Sequence, residues 1–398
     1  MKMAVRMRYL IALCVFALGC SDIALAQESP QVVLSRPSDP GLADRGIIVF
    51  SISNPTDKPV AIVSFETPFA TGDDHLANVE FQVSDSKNEE LAYRGRNVYF
   101  GPPDSSSFLT LGPHETLKKN VDVAKEYGIT DGGAYTVTYV KNLRILRSSG
   151  VQRLDAVRPG DDIPLEPSRS NTLTIWINDA LIKAQGAVAR QHAAEEGVAA
   201  LTCSGSQSST LSSDVSASAA QTLSALTHLG ASYSYDYDAN NIPIHGHESD
   251  PRYIYWFGTY DSSILLTDPS SVNSDNAQVD QVMAATYYRL ANGPMSFDCG
   301  CSASYPPATR AWAETGSPYL VHICDSYWTD PATGGSPAPS RVATLVHEAS
   351  HFNDQFATGT ADNYYTSPEA HSAAISARHT AVRTAVNYEF YIMNASHP

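Results

Sequence analysis

The sequence predicts two domains of different class: an N-terminal all-β, immunoglobulin-like sandwich and a C-terminal, mainly α domain. Three observations predict this. The chain has 398 residues, long for one domain and comfortable for two. Residues 31–178 hold about seven short runs rich in β-branched and aromatic residues. Beyond residue 200, Ser, Ala, Tyr and Asn become common, and small and apolar residues fall at helical spacing.

The first 26 residues read as an export signal. "MKMAVRMR" carries Lys2, Arg6 and Arg8, "YLIALCVFALG" is an apolar core too short for a stable span, and "ALAQ" sets Ala24 and Ala26 before a cut that leaves Gln27 first. A competing reading lipidates Cys20 in "ALGC", but Ala17 stands where a bulkier aliphatic residue is usual. No later apolar run is long enough to span a membrane. The formal net charge of -16 points away from a nucleic-acid partner.

From residue 27 to 178 the runs "QVVLS", "GIIVFSIS", "PVAIVSF", "NVEFQVS", "NVYF", "YTVTYV" and "NTLTIWI" are separated by turn-forming text such as "NPTDKP", "GPPDSSS" and "TDGG". Short antiparallel strands at this spacing favour a sandwich, and no catalytic constellation stands out among them. Residues 179–200, "DALIKAQGAVARQHAAEEGVAA", form an Ala-rich helical or flexible linker. From 201 to 398 the chain reads as the second domain. "STLSSDVSASAAQTLSALTHL" has helical spacing, another helix runs from about Ser340 through "RVATLVHEASHF", and a third starts at "TSPEA", where Thr366 or Ser367 can cap and Pro368 suits the first turn.

Of six cysteines, Cys14 and Cys20 lie in the signal. Cys203, Cys299, Cys301 and Cys324 remain, and in an exported protein they suggest two disulfides. Cys299 and Cys301 are too close to pair with each other, so each should reach one of the other two. A cysteine metal site is the weaker reading, because "CGC" lacks the two-residue spacer of tetrahedral zinc sites.

The chemistry concentrates in "TLVHEASHFNDQFATGTADNYYT", residues 344–366. On a helix, His347 and His351 share one face, so both imidazoles reach one metal ion, and Glu348 stands beside them as a general base. A catalytic zinc needs a third protein ligand and one open position. Asp354, Asp362, Glu369 and His371 are the candidates. Asp354 is close behind His351, His371 needs a long excursion, Glu369 is a real rival, and Gly359 permits a turn that would bring Asp362 back under the helix.

"HEASHF…GTAD" resembles the signature of the aspzincin metallopeptidases, the deuterolysin and peptidyl-Lys metalloendopeptidase family. "RYIYWFG" (252–258), "FDCGC" (297–301) and "YLVHICDSYW" (319–328) resemble that family in the same order, so the likeness covers about residues 200–398. It implies a zincin-type fold and one zinc ion per catalytic domain, held by His347, His351 and Asp362, with Glu348 as base. It implies Tyr365 as oxyanion donor, with Tyr364 as the fallback. It supports the pairs Cys203–Cys299 and Cys301–Cys324. In the peptidyl-Lys members two acidic residues near the C-terminus hold the substrate lysine. Glu389 matches one, while Val386 occupies the other position, which puts discrimination against arginine in question.

Lysine stops at Lys183, and residues 184–398 contain none, whereas seven arginines, Arg190 included, lie in the same stretch. A lysine-directed peptidase without lysines cannot cut its own catalytic half. The expectation is therefore a secreted zinc endopeptidase that cuts protein substrates on the amino side of lysine. Residues 27–178 would be its inhibitory propeptide, with one of its lysines set near Glu389, and processing would fall near Lys183. The alternatives are a broader basic preference with the sandwich retained as a surface-binding module, and a non-catalytic metal-binding adhesin, against which the intact Glu348 argues.

Overall fold

The computed structural model describes residues 29–393, apart from 183–202, 260–271 and shorter internal stretches of one to five residues. The signal segment, Lys183 and Arg190 lie outside the described residues. The N-terminal region is β-rich and the C-terminal region is helical, consistent with two domains.

The N-terminal region holds three antiparallel groups of strands. Ile47–Ser53 pairs with both Gln31–Ser35 and Thr116–Asp122. Val60–Val63 pairs with Phe108–Leu111 and Asn142–Leu146, and Leu165–Pro167 extends that sheet. Gly133–Tyr139 pairs with Leu173–Ile177 and Phe81–Ser84. Period-2 alternation explains which faces turn inward: Val32 and Leu34 of the first strand, and Ile48, Phe50 and Ile52 of the second, are buried with Phe81, Val137, Tyr139 and Ile175 in one core. Ile182 also packs into this core, so the N-terminal unit runs slightly past residue 178.

The C-terminal region has a separate core around Trp256, Phe257, Val282, Leu345, Val346, Tyr388 and Tyr391. Its long helix Gly205–Ala231 starts in a capping box in which Ser204 and Gln207 satisfy each other's backbone N–H groups. Small polar residues let it lie close to the helix Arg341–Ser350, and the Ser218 hydroxyl donates to the Val342 carbonyl at 3.2 Å. Disulfides join Cys203 to Cys299 and Cys301 to Cys324, and so fasten the start of the long helix and the strand Leu320–Ile323 to the same hinge. Among the described residues no helix is long and apolar enough to cross a membrane.

One strand departs from the sequence reading. "NVYF" was expected in the sandwich, yet Arg96–Tyr99 leaves it and joins the sheet of the other region. That sheet has the order Ser296–Asp298, Leu320–Ile323, Ala311–Glu314 and Arg96–Tyr99. The added strand is antiparallel, with Tyr99 opposite Ala311 and Val98 opposite Trp312. A third apolar cluster forms where the regions meet. Val63, Phe65, Val98 and Phe100 from one side pack against Tyr305, Trp312, Cys324 and Tyr365 from the other.

Candidate active site

The helix Arg341–Ser350 begins where the Ser340 hydroxyl accepts from the Ala343 N–H, and it ends with His351 as C-cap. Every residue from Val342 to Ser350 is buried. The chain then turns back beneath the helix end. A Cβ at Gly359 would lie 2.0 Å from the His351 carbonyl oxygen, so only glycine allows this approach. The Thr360 N–H donates to the Ser350 carbonyl and the Ala361 N–H to the Arg383 carbonyl, which fixes the segment that carries Asp362.

His347, His351 and Asp362 thereby converge: one ligand atom from each lies within 4.8 Å of the others, and all three residues are fully buried. Their outer partners set the tautomers. His351 Nδ1 meets the Thr360 carbonyl at 2.9 Å, and a carbonyl can only accept, so Nδ1 carries the proton and Nε2 offers its lone pair. His347 Nδ1 donates in the same way to Glu389 Oε2 at 3.0 Å. The inward atoms are His347 Nε2, 2.9 Å from Asp362 Oδ1, and His351 Nε2, 3.4 Å from Asp362 Oδ2. None of these four atoms has a hydrogen bond of good geometry. Buried polar atoms that converge without bonding one another fit a metal ion at their centre. The field agrees. Burial works against a charged His347, but Asp362 and Glu389 outweigh it and hold its pKa up at about 10, so the site favours a cation.

Glu348 follows His347 on the helix, fully buried, and neither of its carboxylate oxygens has a hydrogen-bond partner. Burial pushes its carboxyl well above the usual range; His347 opposes the shift, and Asp362 and Glu389 add to it.

The other ligand candidates are engaged elsewhere. Asp354 accepts from Arg289 Nε at 3.0 Å and from the Tyr319 hydroxyl at 3.1 Å. Glu369 caps its own helix at Thr366 and pairs with Arg144 of the N-terminal region. His371 stacks on Tyr255 and meets its carbonyl at 3.0 Å.

Residues 244–393 match the sequence model of a family described as lysine-specific metallo-endopeptidase. The peptidyl-Lys metalloendopeptidase of Pleurotus ostreatus is 31% identical over 169 residues, 41% of this chain and 87% of that protein. The chain belongs to the aspzincin metallopeptidase family. An extracellular protease of Aeromonas hydrophila is 27% identical to this aspzincin over 357 residues, 89% of each chain. The peptidyl-Lys metalloendopeptidase of Grifola frondosa is 27% identical over 323 residues, 79% of each. A solved zinc peptidase from Grifola frondosa is 30% identical and corresponds to 48% of this chain and 97% of its own, with a TM-score of 0.37. This aspzincin is a zinc metalloendopeptidase.

One site expectation needs correction, and another finds its place in the structure. Glu389 was read, from the resemblance, as an acid that holds the substrate lysine. It is buried, its Oε2 is committed to His347, and its Oε1 accepts from the Tyr99 hydroxyl at 3.2 Å. The resemblance that singled it out did not show its bond to a ligand histidine. Nor does a lysine of the N-terminal region sit at Glu389. Lys141 is the lysine nearest the centre by its contacts, and its ammonium donates to the Asp362 carbonyl at 2.9 Å. Tyr99 takes the place at Glu389, with its ring 4.3 Å from that of His347. Tyr365 is buried against Phe65, and its hydroxyl accepts from Asn78 Nδ2. The Tyr364 hydroxyl donates to Asn387 Oδ1 at 2.8 Å. Sequence reasoning missed Tyr99, Asn78 and Lys141; nothing in their local text points to a site in the other region.

Proposed function

We propose that this aspzincin is secreted as a latent precursor and, once opened, cuts peptide bonds on the amino side of lysine. The observation that carries the latency is complete burial: His347, Glu348, His351 and Asp362 have no exposed surface, the Tyr99 ring of the N-terminal region lies against His347, and its Lys141 donates to the Asp362 carbonyl. A peptidase must admit an extended chain to these groups, and their burial opposes that.

In this reading residues 1–26 are the signal and residues 27–178 fold as the immunoglobulin-like propeptide. The linker 179–200 is cut near Lys183, and 201–398 is the zincin-type catalytic domain. Relatives that match 79–89% of the chain and one that matches 41% suit a catalytic part that functions on its own.

His347, His351 and Asp362 would hold the zinc, which supplies Lewis acidity and makes water nucleophilic near neutral pH. Glu348 would take the proton of the attacking water and pass it to the leaving amine. The Nδ1–H bonds of both histidines keep their Nε2 atoms aimed inward. Tyr365, released from Asn78, would donate to the developing oxyanion. Glu389 can serve two ends: Oε2 orients His347, while Oε1 is free to meet a lysine ammonium once Tyr99 departs. The lysine-free stretch 184–398 suits such a preference, since the mature enzyme would spare itself.

The test is a digest of a denatured protein by the processed enzyme, with termini mapped by mass spectrometry. New N-termini should begin with lysine. A comparable share beginning with arginine would show that Val386 has cost the pocket its discrimination, and neutral residues at that place would remove Glu389 from the specificity site.

A further inference from the structure

We propose that the segment Arg96–Gly101 is the inhibitory element of the precursor, bound in the manner of a peptide substrate, and that Tyr99 is the plug that closes the recognition carboxylate. The inference rests on the latency proposed above and names the residues that produce it.

Three observations carry it. The first is pairing. Ala311–Glu314 is the outer strand of the catalytic region's own sheet, and its free edge is taken by Arg96–Tyr99 in antiparallel register. An exposed edge that accepts an extended chain is a peptide-binding surface: main-chain bonds supply affinity and alternate side chains supply selection. The contact extends past the ladder, since the Arg310 N–H donates to the Tyr99 carbonyl at 3.1 Å and Arg310 Nη1 to the Phe100 carbonyl at 3.0 Å. Arg310 is itself braced by Asp330, which accepts from its Nε at 2.6 Å.

The second is the close approach that follows. Gly101 has φ +69°, and a Cβ there would lie 2.4 Å from Arg310 Nη1. The left-handed backbone favours glycine here, and any side chain would have to displace the guanidinium beneath it. The strand is thus shaped to its seat on the catalytic region.

The third is the side chain. Tyr99 is buried, lies against the His347 ring and donates its hydroxyl to Glu389 Oε1. A phenol satisfies that carboxylate with one neutral donor and covers the imidazole with an apolar ring. It does not offer the ammonium that the opened site is proposed to select. No lysine lies between Lys87 and Lys118, so the inhibitory segment gives a lysine-directed enzyme nothing to cut. Binding like a substrate and lacking the residue that directs cleavage are together what an inhibitory strand requires.

The experiment uses the full chain with Glu348 intact. Uncut protein is separated from processed protein by size and assayed over the first minutes on a short quenched peptide containing one lysine. Native, Tyr99→Phe and Tyr99→Ala chains are compared, with Val83→Ala as a control that loosens the N-terminal core away from the site. Zinc loss to a small chelator is timed on the same samples. Tyr99→Ala should raise the activity of the uncut chain at least tenfold and speed zinc loss at least fivefold. Tyr99→Phe, which keeps the ring but leaves Glu389 Oε1 without its donor, should fall between native and Tyr99→Ala in each, and Val83→Ala should change neither. Faster processing of Tyr99→Ala than of the native chain during expression is the same result seen earlier in time. If native uncut chain is as active as processed chain, the latency reading falls. If native chain is latent and Tyr99→Ala is equally latent and equally slow to lose zinc, latency stands and the assignment of Tyr99 is overturned.

Discussion

The two halves of this molecule are fastened differently. The catalytic half carries both disulfides, which tie its long helix and its sheet to one hinge around Cys299 and Cys301. The N-terminal half, from Gln27 to Lys183, contains no cysteine, and its apolar core is braced by polar pairs such as Arg147 with Glu166. Each half has its own core, and between them lies a smaller shared cluster with a row of main-chain bonds along one strand. The difference teaches that durability follows the job. In the proposed reading, a secreted peptidase keeps its centre in shape among other proteases, whereas the cover need hold only until it is cut away. The polar groups show the same division. The Nε2 atoms of His347 and His351 and the oxygens of Asp362 converge without hydrogen bonds, and the Glu348 oxygens are left unpaired beside them on the helix. Those the N-terminal half brings to the site, such as the Tyr99 hydroxyl and the Lys141 ammonium, are already bonded to their targets.

The comparison breaks most completely at the base. Glu348→Gln should lower peptidase activity by about 10²–10⁴-fold or more while zinc content stays at that of the native protein, the outcome expected of the proposed base that is not a ligand. Loss of zinc together with activity would move Glu348 into the ligand set. Next in size is the third ligand. Asp362→Ala should lose zinc by metal analysis, and Glu369→Ala should keep it, since Glu369 is occupied by its helix cap and Arg144. The opposite pattern would replace the proposed site.

The centre was legible because its parts are local. The spacing of His347 and His351 is one helical turn, Gly359 announces a tight return, and Ser340 and Thr366 mark helix starts in plain text. Within four candidates for the third ligand, residue spacing alone did not decide; the resemblance did. The cover was not legible, for a physical reason. "NVYF" reads as a short strand in any sheet, and its partner strand lies more than 200 residues away in sequence, a pairing no local pattern encodes. Strands such as Thr116–Asp122 were also missed, because Lys118 and Lys119 dilute the apolar signal of a sheet surface open to solvent on one side. Glu389 was found as an acid near the site, but its bond to His347 depends on how two helices pack, which sequence does not show.

Smaller effects sharpen the contrast in durability. Replacing Cys203 and Cys299 together by Ser should lower the stability of the processed catalytic half by about 2–4 kcal/mol, read from chemical denaturation. The same reducing conditions that unfold it should leave an N-terminal fragment released by processing unchanged in its circular dichroism. An equal response of both parts would deny the division.

The smallest effect concerns the seam. Burial, opposed by Arg144, holds the Glu66 carboxyl up at about 7 from an ordinary 4.5. The folded chain therefore keeps a proton across that window that the unfolded chain releases. The stability it lends is complete below about pH 4.5 and is lost as pH rises through about 7. Uncut native chain should lose up to about 3 kcal/mol more than Glu66→Gln between pH 5 and 8 in parallel denaturation curves. Curves that run parallel across the window would show that Arg144 compensates for the ionised carboxylate in full.

The most direct test of the central claim, a peptidase covered by its own N-terminal half and uncovered by its own chemistry, is the intact mass and N-terminal sequence of secreted protein from a host that lacks this enzyme. The native chain should appear shortened, beginning near Lys183, and active. The Glu348→Gln chain should accumulate at full length from Gln27, and adding a trace of native enzyme should convert it to the shorter form. A Glu348→Gln chain that matures at the same place when expressed alone, or a native chain that stays whole and fully active, would contradict the account.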